Sequence, residues 1–405
     1  MKVIIIGAGA AGLMAACTAG RCGHEVILIE KNDRFGKKLA ITGKGRCNVT
    51  NDCPADELIK NVPVNGRFLY SAFNAFSSYD TMDFFENAGV RLKTERGNRV
   101  FPESDKAQDI VNALVSEMKK NNVKTLKGCV KNIIAKDGAA AGVTLTNSTI
   151  INADRVILAT GGVSYPTTGS TGDGYRFAKE LGHTVTPIKP SLVPLVANES
   201  FCAEMMGLSL KNVAITLFEN GKKKYSDFGE MLFTHFGVSG PIILSASAHM
   251  KKNANAYKIE IDLKPALDET ALDKRLLRDF EKFAKKDFIN SLSELLPQKM
   301  IPVIVKLSGI DPRKIVCEIT KEERKNLCYL LKHLTINIKD FRPVSEAIIT
   351  SGGIKISEIN PSTMESKIVS GLYFAGEIID VDAYTGGFNL QIAFSTGYIA
   401  GNNLN

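Results

Sequence analysis

The sequence predicts an α/β protein built on a doubly wound parallel sheet, and three observations predict it. The first thirty residues read as strand, glycine turn, helix and strand: "KVIII", "GAGAAG", "LMAACTAGRCG" and "EVILIE". Their apolar runs are short and unbroken, as in parallel strands buried on both faces. Two more such runs, "RVILAT" from 155 and "GLYFAGEIIDVD" from 371, lie far downstream. The sheet is therefore expected to be discontinuous in sequence, with a further domain inserted before its last strand.

Between the second strand and about residue 105 the chain is irregular and glycine-rich, with some helix. "DKAQDIVNALVSEMKKN" then places apolar residues at helical spacing behind an Asp able to cap them. "CVKNIIAK", "AGVTLTN" and "STIINAD" alternate as a small antiparallel meander, and "RVILAT" returns to the sheet. After Pro187 come short strands, "LVPLVA", "NVAITLFENGKKKYSDF" and "GEMLFTH", with a hairpin turn at "ENGK". Residues 267–333 read as charged helix broken at Pro297, Pro302 and Pro312, and "GGFNLQIAFSTGYIAGNNL" as a helix opened by two glycines. The expected division is a nucleotide domain at 1–188 and 351–405, a β-rich, barrel-like substrate domain at 189–266 and 334–350, and a helical subdomain at 267–333.

Composition narrows the chemistry. The 405 residues are 44% hydrophobic and 23% charged, an ordinary folded composition. The N-terminal apolar run is broken at once by Gly7, Gly9 and Gly12, which argues against a signal peptide or membrane span; a cytoplasmic protein with no membrane partner is expected. None of the eight cysteines forms a CxxC pair, and no histidines stand in HxH or HxxxH spacing, so no metal is expected. The formal charge of +8 is spread through mixed segments such as "LDKRLLRDFEKFAKKDF" without interleaved aromatics, which favours solvated helix faces and a small-molecule substrate over nucleic acid.

Gly7, Gly9 and Gly12 form G-x-G-x-x-G between a strand and a helix, and Glu30 ends the next strand, which together make the Rossmann fingerprint of a dinucleotide site. Gly7 allows the tight turn, Gly9 the approach of a pyrophosphate and Gly12 the packing of helix on strand. Ala10 and Ala11 open the helix whose positive end faces the phosphates, and Glu30, with Lys31 beside it, is placed for the ribose. The loop that follows, "KNDRFGKKLAITGKGRCNVTN", is similar to the segment by which FAD enzymes wrap the second phosphate and approach the flavin. Arg34, Lys37 and Lys38 supply charge there, Gly36 and Gly43 expose amides, and Thr42, Arg46 and Asn48 are the expected flavin contacts.

"VILATGG" at 156–162 resembles the strand and glycine pair that pass under FAD, adding Thr160 and Gly161, with Val130 of the meander in the same set. "GLYFAGEIID" resembles the late strand whose acidic end meets the ribityl chain, adding Gly376, Glu377 and Asp380. Gly386 and Gly387 then start a helix, with Asn389 and Leu390 in its first turn, whose positive end suits charge on a reduced flavin. Non-covalent FAD is the expected cofactor. A Walker loop is excluded by spacing, since Lys44 is followed by Gly45. Cys47 stands beside a cation but lacks a partner cysteine.

Six motifs, "GAGAAGLMAA", "GKKLAITGKGRCNVTN", "RVFPESDKAQDIVNAL", "ATGGVSYPTTGSTGDGY", "LFTHFGVSGP" and "TMESKIVSGLYFAGEIIDVDAYTGGFNLQIAFSTG", run in order along almost the whole chain. The chain resembles the BaiN/aminoacetone-oxidase-like family of bacterial FAD-dependent oxidoreductases. The resemblance implies a glutathione-reductase-like FAD domain with an inserted barrel and a helical domain. In "DVDAYTGGFN" the sequence departs from the family, where a smaller residue commonly precedes TGG and Tyr replaces Phe388.

Only one dinucleotide fingerprint is present, so NAD(P)H is expected, if used, to dock transiently as electron donor. The first expectation is reduction of an activated C=C bond of an enone, such as a 3-oxo-delta-4,6 bile acid or steroid intermediate. Arg46, Tyr165, His235 and Tyr384 are its candidate donors to substrate. An oxidase of a small amine or amino ketone, and an RNA-binding or RNA-modifying flavoprotein, are the alternatives.

Overall fold

The computed structural model describes residues 1–404 apart from Lys252. The chain forms two compact units, Met1–Ser191 with Val344–Asn405, and Leu192–Pro343.

The first unit opens as the sequence predicts, with β1 (Lys2–Ile6), α1 (Ala10–Arg21) and β2 (Glu25–Glu30). β1 is an uninterrupted Val-Ile run because both of its faces are covered; Val3, Ile4 and Ile5 are wholly buried. The next strands, β3 (Thr50–Asn51), β4 (Leu92–Glu95) and β5 (Arg99–Pro102), make a small antiparallel sheet in the order β3-β5-β4. The predicted amphipathic helix is observed over Ala107–Lys120, its apolar side packed on the core. Lys106 stands at its N-cap without a side-chain bond, so Asp105 does not cap it.

β6 (Lys124–Lys127) is an edge strand of the main sheet that the sequence reading passes over. It is short, polar and mostly exposed, so no alternation betrays it. The meander is observed as β7 (Val130–Lys136), β8 (Ala139–Leu145) and β9 (Ile150–Asn152), followed by β10 (Arg155–Leu158) and β11 (Lys189–Ser191).

The second unit holds a closed barrel of β12 (Leu195–Ala197), β13 (Ser209–Glu219), β14 (Lys222–Thr234), β15 (Gly237–Ser239), β16 (Tyr257–Asp262) and β17 (Leu334–Phe341). The "ENGK" turn joins β13 to β14 with Asn220 and Gly221 both at positive φ, the geometry of a type I′ hairpin. Helices Glu269–Lys282, Ile301–Ser308 and Lys321–Lys332 share one apolar core with the barrel, through Leu272, Leu276 and Leu331 among others, so the helical segment is not a separate folding unit.

The chain returns through β18 (Ile349–Ser351) and β19 (Leu372–Phe374) to a C-terminal helix, Phe388–Asn402. The main sheet has the order β19-β10-β1-β2-β6, all parallel. β11 pairs antiparallel with β18, which places residues 189–191 and 349–350 in the first unit, where the sequence reading assigned them to the inserted domain. Among the described residues no helix is long and apolar enough to cross a membrane, and no cluster of His, Cys, Asp and Glu could hold a metal.

Candidate active site

The site is built where β1, β2, β10 and β19 end. Gly7 turns the chain at φ 99°, and a Cβ there would stand 2.7 Å from the Ala159 carbonyl oxygen. A Cβ at Gly12 would stand 1.8 Å from the Gly7 oxygen, so α1 lies against the turn at backbone contact. Gly9 differs: it is the N-cap of α1, makes no side-chain cap bond, and has nothing within 4 Å of the Cβ position. Ala10 and Ala11 follow, so the positive end of α1 opens on unfilled space, as a pyrophosphate site requires.

Glu30 is buried at the end of β2. Its Oε2 accepts from the Ala8 amide at 2.8 Å, and its Oε1 from the amide and side chain of Asn32 at 2.8 and 2.7 Å. A carboxylate offers about four acceptor positions, so room for a ribose hydroxyl remains. Two buried oxygens point the same way by lacking partners: Asn48 Oδ1 and Thr160 Oγ1 have no hydrogen bond. Leaving such groups unpaired costs about 1–3 kcal/mol each, which a ligand donor or acceptor would recover. The residues present therefore fit a dinucleotide such as FAD.

Other expected contacts are committed within the chain. Lys31 binds Asp173 at 2.6 Å and Thr171 at 2.5 Å, Lys37 lies 3.8 Å from Asp33, and Lys38 binds Glu377 at 2.7 Å and Ser164 at 2.5 Å. These three lysines thus meet protein partners, while Arg34 stays exposed. Gly36, at φ 63°, donates to the Ala8 oxygen and packs on Val111; Gly43, at φ 56°, packs on Asn48 and Phe101. Thr42 Oγ1 donates to the Leu39 carbonyl. Val130 is buried at the head of β7, and Gly161 takes φ 70° after Thr160.

The late segment is ordered by backbone bonds. The Gly376 amide donates to Thr396 Oγ1, and Glu377 Oε1 accepts from Thr350 and Ser164. Asp380 is pushed above the usual carboxylate range by burial. Asn389 brackets Ala383, accepting from its amide and donating to its carbonyl, and also donates to the Tyr384 carbonyl; Leu390 beside it is half-buried. Gly387, at φ 101°, is the N-cap of the C-terminal helix and touches Thr50, whose oxygen would lie 2.3 Å from a Cβ. Ser164 and Thr350 were missed by the sequence reading, although Ser164 sits inside the "ATGGVSYP" motif. Nothing local marks Thr350.

The four proposed donors differ in their surroundings. Arg46 is held by Glu95, which accepts two of its N–H groups, and by Asp105 at 2.8 Å, with its guanidinium 4.2 Å from the Phe101 ring centre. That network is a structural commitment and argues against a substrate role. His235 belongs to the second unit, exposed in the β14–β15 turn with its ring edge-on to Phe236. Tyr165, at φ 50°, is half-buried, and burial pushes its hydroxyl pKa up. Tyr384 donates its amide to Asn61 and precedes the Gly386–Gly387 pair closely.

Cys47 is wholly buried, and burial pushes its thiol up to about 12. Iodoacetamide at pH 8 is expected to label exposed Cys22, Cys129 and Cys317 and to spare Cys47 until the protein unfolds; peptide mass mapping checks this. Rapid native labelling of Cys47 would contradict it.

The HI0933-like Rossmann family model matches residues 1–403. The chain belongs to the HI0933-like family. It is 31% identical to the 3-dehydro-bile acid delta(4,6)-reductase of Clostridium scindens, over 99% of this chain and 98% of that protein. It is 33% identical to the ribosomal RNA dihydrouridine synthase of Haemophilus influenzae, over 98% of this chain and 96% of that protein. The 3-ketosteroid-delta4-(5alpha)-dehydrogenase of Rhodococcus jostii shares the fold, with a TM-score of 0.54 at 16% identity, covering 99% of this chain and 96% of that one. The chain accordingly carries the Rossmann domain of this family.

Proposed function

We propose that the protein is an FAD-dependent reductase that saturates a carbon–carbon double bond conjugated to a carbonyl. The supporting observation is the glycine-opened C-terminal helix: Gly386 and Gly387 leave its positive end without a side-chain cap, where negative charge on a carbonyl oxygen or on the flavin is stabilised. Its two named relatives fit one chemistry, because a delta(4,6)-enone and a uracil ring both place C=C in conjugation with C=O. Bound FAD would supply the hydride, with NAD(P)H as the donor that replenishes it. The chain's own part is to hold the carbonyl, exclude water and protonate the alpha carbon. Tyr384 is the side-chain acid placed nearest in sequence to the glycine pair, and Tyr165, kept neutral by burial, is the second candidate.

The first substrate class is a 3-oxo-4,6-diene steroid acid. A second reading, uridine in RNA, is favoured by the net charge of +8 together with the dihydrouridine synthase relative. The test is to reduce the flavin-loaded protein anaerobically and add either substrate. Reoxidation with a product two mass units heavier identifies the class. Reduced flavin untouched by both, but rapidly reoxidised by air with turnover of aminoacetone, would replace this reading with the oxidase.

A further inference from the structure

We propose that the β4–β5 hairpin carries an oxyanion-binding subsite for the substrate, with Arg99 as its specificity-determining residue. The proposal rests on the conjugated-double-bond reading and adds which group of the substrate is recognised: a carboxylate, as on a steroid acid, or a phosphate, as on RNA.

The hairpin is anchored to the glycine pair by one side chain. Asn51 Nδ2 donates both to the Gly97 carbonyl at the hairpin tip, 3.0 Å, and to the Gly386 carbonyl, 3.1 Å. Neighbouring Thr50 lies against Gly387 and donates from Oγ1 to Gln391 in the first turn of the C-terminal helix, 2.6 Å. Asn51 and Arg99 stand opposite each other on the β3–β5 ladder, one strand spacing or about 5 Å apart. Directly opposed residues project to the same face. Arg99 therefore shares the face on which Asn51 meets Gly386.

Charge and order at the tip suit an oxyanion. Arg99 Nε donates to the Arg96 carbonyl, 3.0 Å, while Gly97 and Asn98 hold the turn at positive φ. A guanidinium fixed through Nε presents its Nη1–Nη2 edge, which matches the two oxygens of a carboxylate or phosphate. The nearby acids have other partners: Glu95 and Asp105 bind Arg46 and Lys93, and Asp52 accepts from Thr94 at 3.3 Å. This also gives "RVFPESDK" a purpose beyond the cofactor, since β5 supplies Arg99 and Asp105 helps tie up the competing charges.

The test uses the flavin-loaded full chain and the variants Arg99→Gln and Arg99→Lys. The probes are a labelled uridine-rich RNA oligonucleotide, followed by anisotropy, and a 3-oxo-4,6-diene steroid acid with its methyl ester, followed by flavin absorbance. Arg99→Gln is expected to bind one of the two acidic probes about tenfold more weakly, with Arg99→Lys in between and with flavin content and ester binding unchanged. Loss for RNA alone assigns phosphate, and loss for the steroid acid alone assigns carboxylate. Undiminished binding of both acids, equal loss for the ester, or no binding of either acid to the unsubstituted protein at low salt overturns the proposal. Product analysis reads the reductase assignment separately, because binding can depend on Arg99 even where no double bond is reduced.

Discussion

Gly12→Ala is expected to give a protein that carries no flavin and unfolds far below the parent. A Cβ at this position would stand 1.8 Å from the Gly7 oxygen and 3.0 Å from its carbon, and 3.4 Å from the Ala159 side chain. The obstacle is backbone in the tightest turn of the fold, so no rotamer change relieves it. Either α1 lifts from the sheet or the turn opens, and both disturb the core around wholly buried Leu13 and Ala15. Overpacking of a well-packed core costs about 1–3 kcal/mol, and more where backbone must shift. Gly9→Ala is the control, since its Cβ meets nothing within 4 Å. It should change stability by less than about 1 kcal/mol, yet weaken FAD at least about tenfold, because the methyl enters the space facing the phosphates. The flavin-to-protein absorbance ratio and thermal melts of both variants check this pair. Equal flavin content in Gly9→Ala and the parent would remove the pyrophosphate from that space.

Asp382→Asn is expected to stabilise the protein at neutral pH and to flatten its stability between about pH 4 and 6. Asp382 is 2% exposed and accepts hydroxyl bonds from Ser191 at 3.0 Å and Ser351 at 3.2 Å, tying β11 and β18 to the loop before Tyr384. Burial pushes its pKa up to about 6, against the two serines and Lys189, with nearby Asp380 adding to the rise. An unfolded aspartate titrates near 3.9. The folded state thus holds this proton more tightly. Its contribution is fully present below about pH 3.9, falls as pH rises towards 6, and becomes a constant penalty above, of at most about 3 kcal/mol. Asn can still accept from one serine and donate to the other. Denaturant midpoints for parent and variant at pH 4.5 and 7.5 are the measurement, and a stability difference that is the same at both would sink the assignment.

The parts of the site that were legible in the sequence are those that a single local pattern defines. Gly7, Gly9 and Gly12 are spaced by the geometry of one strand–turn–helix, and Glu30 by the length of the following strand. The barrel hairpin was legible for the same reason, since "ENGK" carries its own turn chemistry. Lys31 and Lys38 were read as cations for phosphate because sequence shows charge and not partners. Their partners Asp173 and Glu377 are 142 and 339 positions away, at distances in sequence that no spacing rule covers. Arg46 is the same case, with Glu95 arriving on the β4–β5 hairpin and Asp105 just past it, an approach that no local pattern predicts.

Sequence alone determined the class of this protein: a parallel sheet interrupted by an insertion, with a dinucleotide fingerprint on its first turn and a glycine-opened helix at its end. These follow from backbone constraints, which act between neighbours along the chain and so leave local signatures. Tertiary structure decided which charges are spent and which stay available, that the helical segment shares the barrel's core, and that Asn51 joins an arginine hairpin to Gly386. Such pairings depend on distance in space, and in a chain of 405 residues that distance is set only once the sheet, the hairpin and the C-terminal helix have packed.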